Sequence, residues 1–302
     1  MTNWSQYIQQ RSEPFSDDGK FVRVVDDVIV EISGPDAAKL LQGQVTADIE
    51  QINQSSSAYG ALCTNKGRVI STFLIYRSDL GFYCRLPKDN AKLFVETLKK
   101  YAVFYKVEIL LREDLGVLAL FDEYPTDGLP PIYARLPHSN GISEIWIEQS
   151  NWDAALDALA AFSPAPESQW QLTKIQQGRP DIREVTAEVF LPHALSLDLA
   201  DAISFTKGCY TGQEIVARTH YRGKSKKRLF RLELESAPPL PGTDFQDLQE
   251  SSLGTVVNSA ALSESKSELL VSANVDLVSK GEVMINGEKF PYLVNALPWQ
   301  NE

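Results

Sequence analysis

The sequence predicts an α+β protein that ends in a small β-barrel, and three observations carry that prediction. Strand and helix patterns between residues 58 and 121 follow the order β-β-α-β, which suggests a ferredoxin-like unit. Two helical segments then occupy residues 152–162 and 167–177. Beyond about Lys227 the pattern turns to short strands separated by turn residues, the signature of a small barrel.

In chain order, residues 21–33 carry enough β-branched side chains for two short strands around a turn at Asp26-Asp27. Ser33 is the expected N-cap of a following helix, with Pro35 and Asp36 in its first turn and Leu40, Leu41 and Val45 as a partial apolar stripe. Residues 58–64 and 68–76 predict a hairpin joined by Asn65-Lys66-Gly67, and residues 81–86 a further strand. Leu93, Phe94 and Leu98 recur at helical spacing within 90–100, and residues 107–111 and 117–121 return to strand pattern. The proline-rich stretch 124–140 predicts a long loop, followed by a strand over 142–147. Ser163-Pro164 and Gly178 with Pro180 predict the stops of the two later helices. Strands are expected at 229–234, 254–258, 269–275, 282–285 and 289–294.

A chain of 302 residues with 43% hydrophobic content is long enough for two or three cores. The opening Met1-Thr2-Asn3-Trp4-Ser5-Gln6 has no basic, apolar leader and no stretch has the length of an apolar span, so a cytoplasmic protein without membrane partners is expected, with a monomer as the default. Three widely spaced cysteines, Cys63, Cys84 and Cys209, argue against a disulfide framework, and Cys63 and Cys84 fit small core positions. His138, His193 and His220 lack metal-ligand spacing, so no metal is expected, and His138 and His193 read as loop residues. A net charge of −11 opposes indiscriminate nucleic-acid binding. Against that background Arg218, Arg222, Lys224, Lys226, Lys227, Arg228 and Arg231 fill half of residues 218–231, either as a solvated linker or as a local anion site.

The most informative run is Lys207-Gly208-Cys209-Tyr210-Thr211-Gly212-Gln213-Glu214. Thr211 and Glu214 have the spacing of a capping box, with Tyr210 and Ile215 as a hydrophobic staple. Cys209 would precede that cap, where the helix dipole and Lys207 favour thiolate, an arrangement suited to reactivity or ligation. Together with Leu41-Gln42-Gly43-Gln44-Val45-Thr46-Ala47-Asp48, Lys66-Gly67-Arg68 and Lys99-Lys100-Tyr101-Ala102-Val103-Phe104, this run resembles the YgfZ-type folate-binding proteins, relatives of the glycine-cleavage aminomethyltransferase. The likeness covers residues 20–230 and is weaker beyond.

That resemblance implies an aminomethyltransferase-like folate-binding fold in three domains: a discontinuous domain over 1–50 and 142–226, a ferredoxin-like domain over 51–141 and a barrel over 227–302. It implies tetrahydrofolate or a derivative as ligand, and iron–sulfur enzymes, including those that modify tRNA, as partners. Trp170 matches a tryptophan tied to folate binding in the family, although its own setting reads equally as a core aromatic. Val28 stands where the family pattern expects a second tryptophan. Glu214 or Gln213 suits a pterin edge beside Tyr210, and Arg218, Arg222 and Arg228 suit the glutamate tail because guanidinium forks match carboxylates. Gln44 and Asp48 are expected near the cavity. The relatives' catalytic carboxylate is replaced by hydroxyls at Ser71 and Thr72, which argues against glycine-cleavage chemistry and for an accessory protein rather than an enzyme. Two other readings stay open: a one-carbon transferase using Cys209 activated by Lys207, and a module that binds tRNA directly through residues 218–231.

Overall fold

The computed structural model describes residues 19–54, 56–121, 129–138, 141–223, 225–277 and 280–300. In chain order the elements are β1 (Phe21–Val24), β2 (Asp27–Ser33), α1 (Ala37–Gln42), β3 (Ser57–Cys63), β4 (Val69–Arg77) and β5 (Gly81–Pro87). There follow α2 (Ala91–Ala102), β6 (Glu108–Leu111), β7 (Leu115–Leu120), β8 (Ala134–Pro137), β9 (Ser143–Glu148), α3 (Trp152–Ala158), α4 (Glu167–Gln176) and α5 (Gln213–Arg222). The last part holds β10 (Lys227–Leu234), β11 (Asp244–Gln246), β12 (Ser252–Ala261), β13 (Ser267–Asn274), β14 (Lys280–Ile285) and β15 (Glu288–Asn295). Contacts divide the chain into one unit of Met1–Ile29 with Leu111–Trp170 and a second of Val30–Leu110 with Gln171–Glu302. Sheet pairing does not follow chain order: β7 pairs with β1 and β9, while β2 lies in the sheet of β3 to β6.

The first unit is an antiparallel sheet in the order β1-β7-β9-β8. Phe21, Leu118, Ile145 and Ile147 pack with Trp152 and Leu156 of α3 into one core. Part of the expected loop at 124–140 is strand β8: Ala134 and Leu136 are buried while Arg135 and Pro137 are exposed, a period-2 pattern that ends on a proline tolerated at a sheet edge. The remainder of that expected loop lies largely outside the described residues. Helix α3 stops at Ala158, short of the expected Ser163-Pro164, because residues 159–165 turn back to β1, where Ala165 N donates to Phe21 O.

In the second unit the sheet order is β3-β4-β5-β2-β6. Strand β2 lies between β5 and β6, the two strands joined by α2, which is the split β-α-β arrangement of ferredoxin-like units. Strand β4 is buried from Val69 to Tyr76, so both of its faces are covered. Helix α2 contributes Phe94, whose ring meets Phe73 edge to face at 5.2 Å. Helix α1 starts at Ala37, later than Ser33 suggested: Asp36 caps nothing in its own helix and accepts instead from Lys106 N at 2.8 Å.

The final strands close a barrel in the order β10-β13-β12-β11-β14-β15, with β10 paired to both β13 and β15, so no strand edge is left over. Leu232, Phe245, Val256, Val271 and Val283 are among the side chains filling its interior. Strand β11 has only three residues and a register shift between Phe245 and Gln246, too short a period-2 pattern to read from sequence. No helix among the described residues is long and apolar enough to cross a membrane.

Candidate functional site

The run 203–214 lies along residues 43–47 and the hairpin turn. Ser204 N donates to Thr46 O at 2.9 Å, and Thr46 Oγ1 donates to Ala202 O at 2.6 Å while accepting from Ala61 N at 2.9 Å. The buried Lys207 ammonium donates to Val45 O at 2.8 Å and Ala47 O at 2.7 Å and lies 5.3 Å from the Tyr210 ring centroid. Burial lowers its pKa to about 8, against the opposing pull of Asp48 and Glu50. Lys207 thus fastens the run to residues 45–47, where the sequence suggested a cation serving the thiol.

The expected capping box does not form. Helix α5 begins at Gln213 after Gly212, whose φ is +86°, and that left-handed turn carries Thr211 away from the first helical N–H groups. Thr211 Oγ1 donates to Gln44 Oε1 at 2.9 Å instead, and Thr211 N donates to Gly43 O at 3.1 Å. Between these two anchors Cys209 is exposed, while Cys63 and Cys84 are buried. Burial pushes the Cys63 thiol up to about 12. Tyr210 is buried, Gln213 is half-buried, and Glu214, Arg218 and Arg222 are exposed. Upstream, Asp48, Gln51, Ser57, Asp201 and Phe205 help line a cleft of 540 Å³. Asp48 Oδ1 in that wall accepts from Gln42 Nε2 at 2.8 Å, and Gln44 is held by Thr211.

The hairpin hydroxyls have structural tasks. Thr72 Oγ1 donates to Pro180 O at 2.6 Å and accepts from Ile182 N at 3.0 Å, and Tyr59 OH also donates to Pro180 O. Together they pin residues 180–182, where the Asp181 carboxylate pairs with the buried Lys174 ammonium at 2.5 Å. Thr72→Val should lower the unfolding free energy by about 2 kcal/mol, since it strands a buried N–H and leaves a single donor on the carbonyl. Urea unfolding would measure this, and a change below about 0.5 kcal/mol would contradict the assignment.

The basic stretch is partly spent. Arg228 Nη1 pairs with Asp198 Oδ1 at 2.6 Å and donates to His193 O at 3.3 Å, and Arg231 pairs with Glu268 at 2.5 Å. Arg228 is therefore committed within its own unit, not left for a glutamate tail. Arg222 and Lys226 are exposed, with Tyr221 69% exposed between them and Arg218. Lys224 lies outside the described residues. His193 is buried rather than a solvent loop residue, and burial holds its imidazole toward the neutral form. His220 is exposed and stacks on Phe205, with ring centroids 3.7 Å apart and planes 17° from parallel. These residues come from a short 3-10 helix, a turn and α5, so no local spacing could announce them.

In the first unit Trp170 is fully buried. Its indole N–H points at Asp27 Oδ2 at 3.4 Å, and its ring meets His138 edge to face at 5.7 Å. His138, expected in a loop, has its ring inside, 3.2 Å from a carboxylate oxygen of the fully buried Glu144, which also accepts from Trp146 Nε1 at 2.6 Å. Trp170 thus presents no open face for stacking, and Val28 beside Asp27 is half-buried in β2.

No family model matches the chain. It is 31% identical over 300 residues to the tRNA-modifying protein YgfZ of Klebsiella pneumoniae (strain 342), covering 92% of each chain. It is 35% identical over 240 residues to the protein of the same name from Edwardsiella ictaluri (strain 93-146), covering 73% of this chain and 72% of that one. Among solved structures, it is similar to the glycine cleavage system aminomethyltransferase T of Bartonella henselae, with a TM-score of 0.71 and 16% identity over 92% of this chain and 85% of that one. That likeness fixes the fold as aminomethyltransferase-like and says nothing by itself of activity. With its signature run anchored at Lys207 and Thr211, and with relatives of this identity and coverage, the chain belongs to the YgfZ family.

Proposed function

We propose that the chain binds tetrahydrofolate or a derivative and supports iron–sulfur enzymes, and through them tRNA modification, with Cys209 as its working thiol. The observation that carries this reading is the anchored run: Lys207 and Thr211 hold it from beneath while Cys209 stands exposed between them. The residues just before Lys207, Ile203 to Thr206, border the 540 Å³ cleft, a volume within the usual range for small-molecule sites. Its lining fits a planar, amine-bearing ring, since Phe205 offers an apolar face and Asp48 and Asp201 offer carboxylate acceptors. Exposed Arg218 and Arg222 remain as cations for a glutamate tail.

When bound, tetrahydrofolate supplies a carrier for one-carbon units. The protein's own residues orient the ring and present a thiol; Thr72 and Tyr59, already bonded to Pro180 O, are not placed as a general base. A single thiolate does not hold a cluster by itself, so Cys209 acts transiently with a partner protein. Native protein should react rapidly with a disulfide reagent at one thiol per chain, forming a mixed disulfide and releasing one equivalent of the reagent's thiol, and Cys209→Ser at none, because the other two cysteines are buried. In cells lacking the protein, Cys209→Ser should fail to restore iron–sulfur enzyme activity. Full restoration would overturn the role of the thiol.

A second reading, direct tRNA binding, is favoured by the exposed Arg218, Tyr221, Arg222 and Lys226. It requires binding that weakens steeply with salt and is reduced by Arg222→Ala and Lys226→Ala; a flat titration removes it.

A further inference from the structure

Three side chains from separate segments converge beside α5. His193 lies in the 3-10 helix Pro192–Leu195, Asp198 follows in the next turn, and His220 lies in the last turn of α5. One ligand atom of each lies within 4.8 Å of the other two. His193 is 3% exposed, yet neither ring nitrogen has a hydrogen-bond partner among the described residues. Buried polar atoms are nearly always partnered, so two idle nitrogens on one imidazole call for a ligand.

Asp198 supplies the complementary charge. Its Oδ1 is taken by Arg228 at 2.6 Å, while Oδ2 lies 4.0 Å from His193 Nε2, beyond hydrogen-bond reach. Arg228 thereby orients the carboxylate through one oxygen and leaves the other facing the imidazole, as outer partners do for ligating carboxylates. Arg228 is also the cation that faces the site, and its charge is already balanced by Asp198. His220 is steadied by its stack on Phe205 and opens the cluster to solvent.

We propose that His193, Asp198 and His220 form a binding site for a divalent transition-metal ion of the zinc or ferrous class. Two imidazoles with one carboxylate suit such ions, whereas magnesium and calcium prefer sites built of oxygen alone. A tetrahedral centre with bonds of about 2.1 Å sets its donors about 3.4 Å apart, so the triad contracts on binding by up to about 1.4 Å. Most of that movement falls to the exposed His220, whose near-parallel stack on Phe205 lets it slide in plane, and the His193–Asp198 pair, 4.0 Å apart, closes by the smaller remainder. Three protein donors leave a position for water or an incoming ligand. The site does not depend on the folate reading.

The test uses the untagged full chain, stripped with a chelator and titrated with Co²⁺ under visible absorption, then with Zn²⁺ in competition and Mg²⁺ as control. One Co²⁺ per chain is expected, with the bands of a low-coordinate site, displaced by Zn²⁺ and not by Mg²⁺. His220→Ala, a surface change, should weaken binding at least about tenfold and abolish the Zn²⁺-dependent rise in melting temperature. Asp198→Asn should act in the same direction; if it fails to fold, His220→Ala carries the test alone. Absence of stoichiometric binding, binding unchanged in His220→Ala, or equal stabilisation by Mg²⁺ would overturn the proposal.

Discussion

Lys207→Met is expected to lower the unfolding free energy by about 3 kcal/mol, because it keeps the bulk of the side chain but removes a charged donor from two carbonyls. Those carbonyls, Val45 O and Ala47 O, belong to the segment that also receives Ser204 N through Thr46 O, so the loss loosens the run that presents Cys209. The effect carries a pH signature. The folded pKa of about 8 lies below the ordinary value of 10.5, so between those limits the unfolded chain holds the extra proton. Lys207's contribution to stability therefore grows as pH rises from 8 toward 10.5, and this pH-dependent gain is lost as pH falls through 8, leaving what the charged donor supplies. A neutral amine still carries two N–H groups, matching the two carbonyls. Urea unfolding across this window should show the gap between wild type and Lys207→Met widening with pH, and a gap that narrows would contradict the assignment.

Gly212→Ala should cost a further 3 kcal/mol or about that, from left-handed backbone strain together with overpacking. At φ +86° a Cβ would stand 2.5 Å from Thr64 O and 3.2 Å from Gly67 Cα, both backbone atoms that cannot swing aside. Gly67, itself at φ +69°, faces Ile215 at 2.9 Å by the same measure, so turn and helix start approach through two glycines. The hairpin turn cannot yield cheaply, since Gly67 N donates to Thr64 O and Thr64 N to Arg68 O. Gly208→Ala is the control: nothing lies within 4 Å of a Cβ there, and its effect should stay within about 0.5 kcal/mol. Equal effects at both positions would show that the close approach at Gly212 is not what fixes the run.

The contrast between these two glycines marks what the sequence could and could not reveal. Apolar runs and 3.6-residue spacing bounded by turn residues located β3, β4, β5 and α2 to within a few residues, because each element buries apolar side chains. Long-range pairing left no such trace. Nothing in residues 27–33 shows that β2 inserts between β5 and β6, and a three-residue strand such as β11 holds too little pattern. At the site, Lys207, Cys209 and Tyr210 stood out by chemistry and by family likeness, whereas their tasks depended on partners 160 residues away, as Lys207 with Ala47 illustrates. Thr211 with Glu214 matched a capping box in spacing, and a glycine in the left-handed region overrode it. His193, Asp198 and His220 converge only through tertiary packing.

The central claim is the folate site, and calorimetric titration of tetrahydrofolate into the purified protein tests it most directly. Saturable one-site binding is predicted, weakened at least about tenfold by Phe205→Ala and by Asp201→Asn and unchanged in Cys209→Ser. Asp201 has a φ of +53°, a conformation that asparagine also tolerates, so its substitution removes charge without straining the turn. No saturable heat from folded wild-type protein, or binding indifferent to both cleft substitutions, would contradict the account.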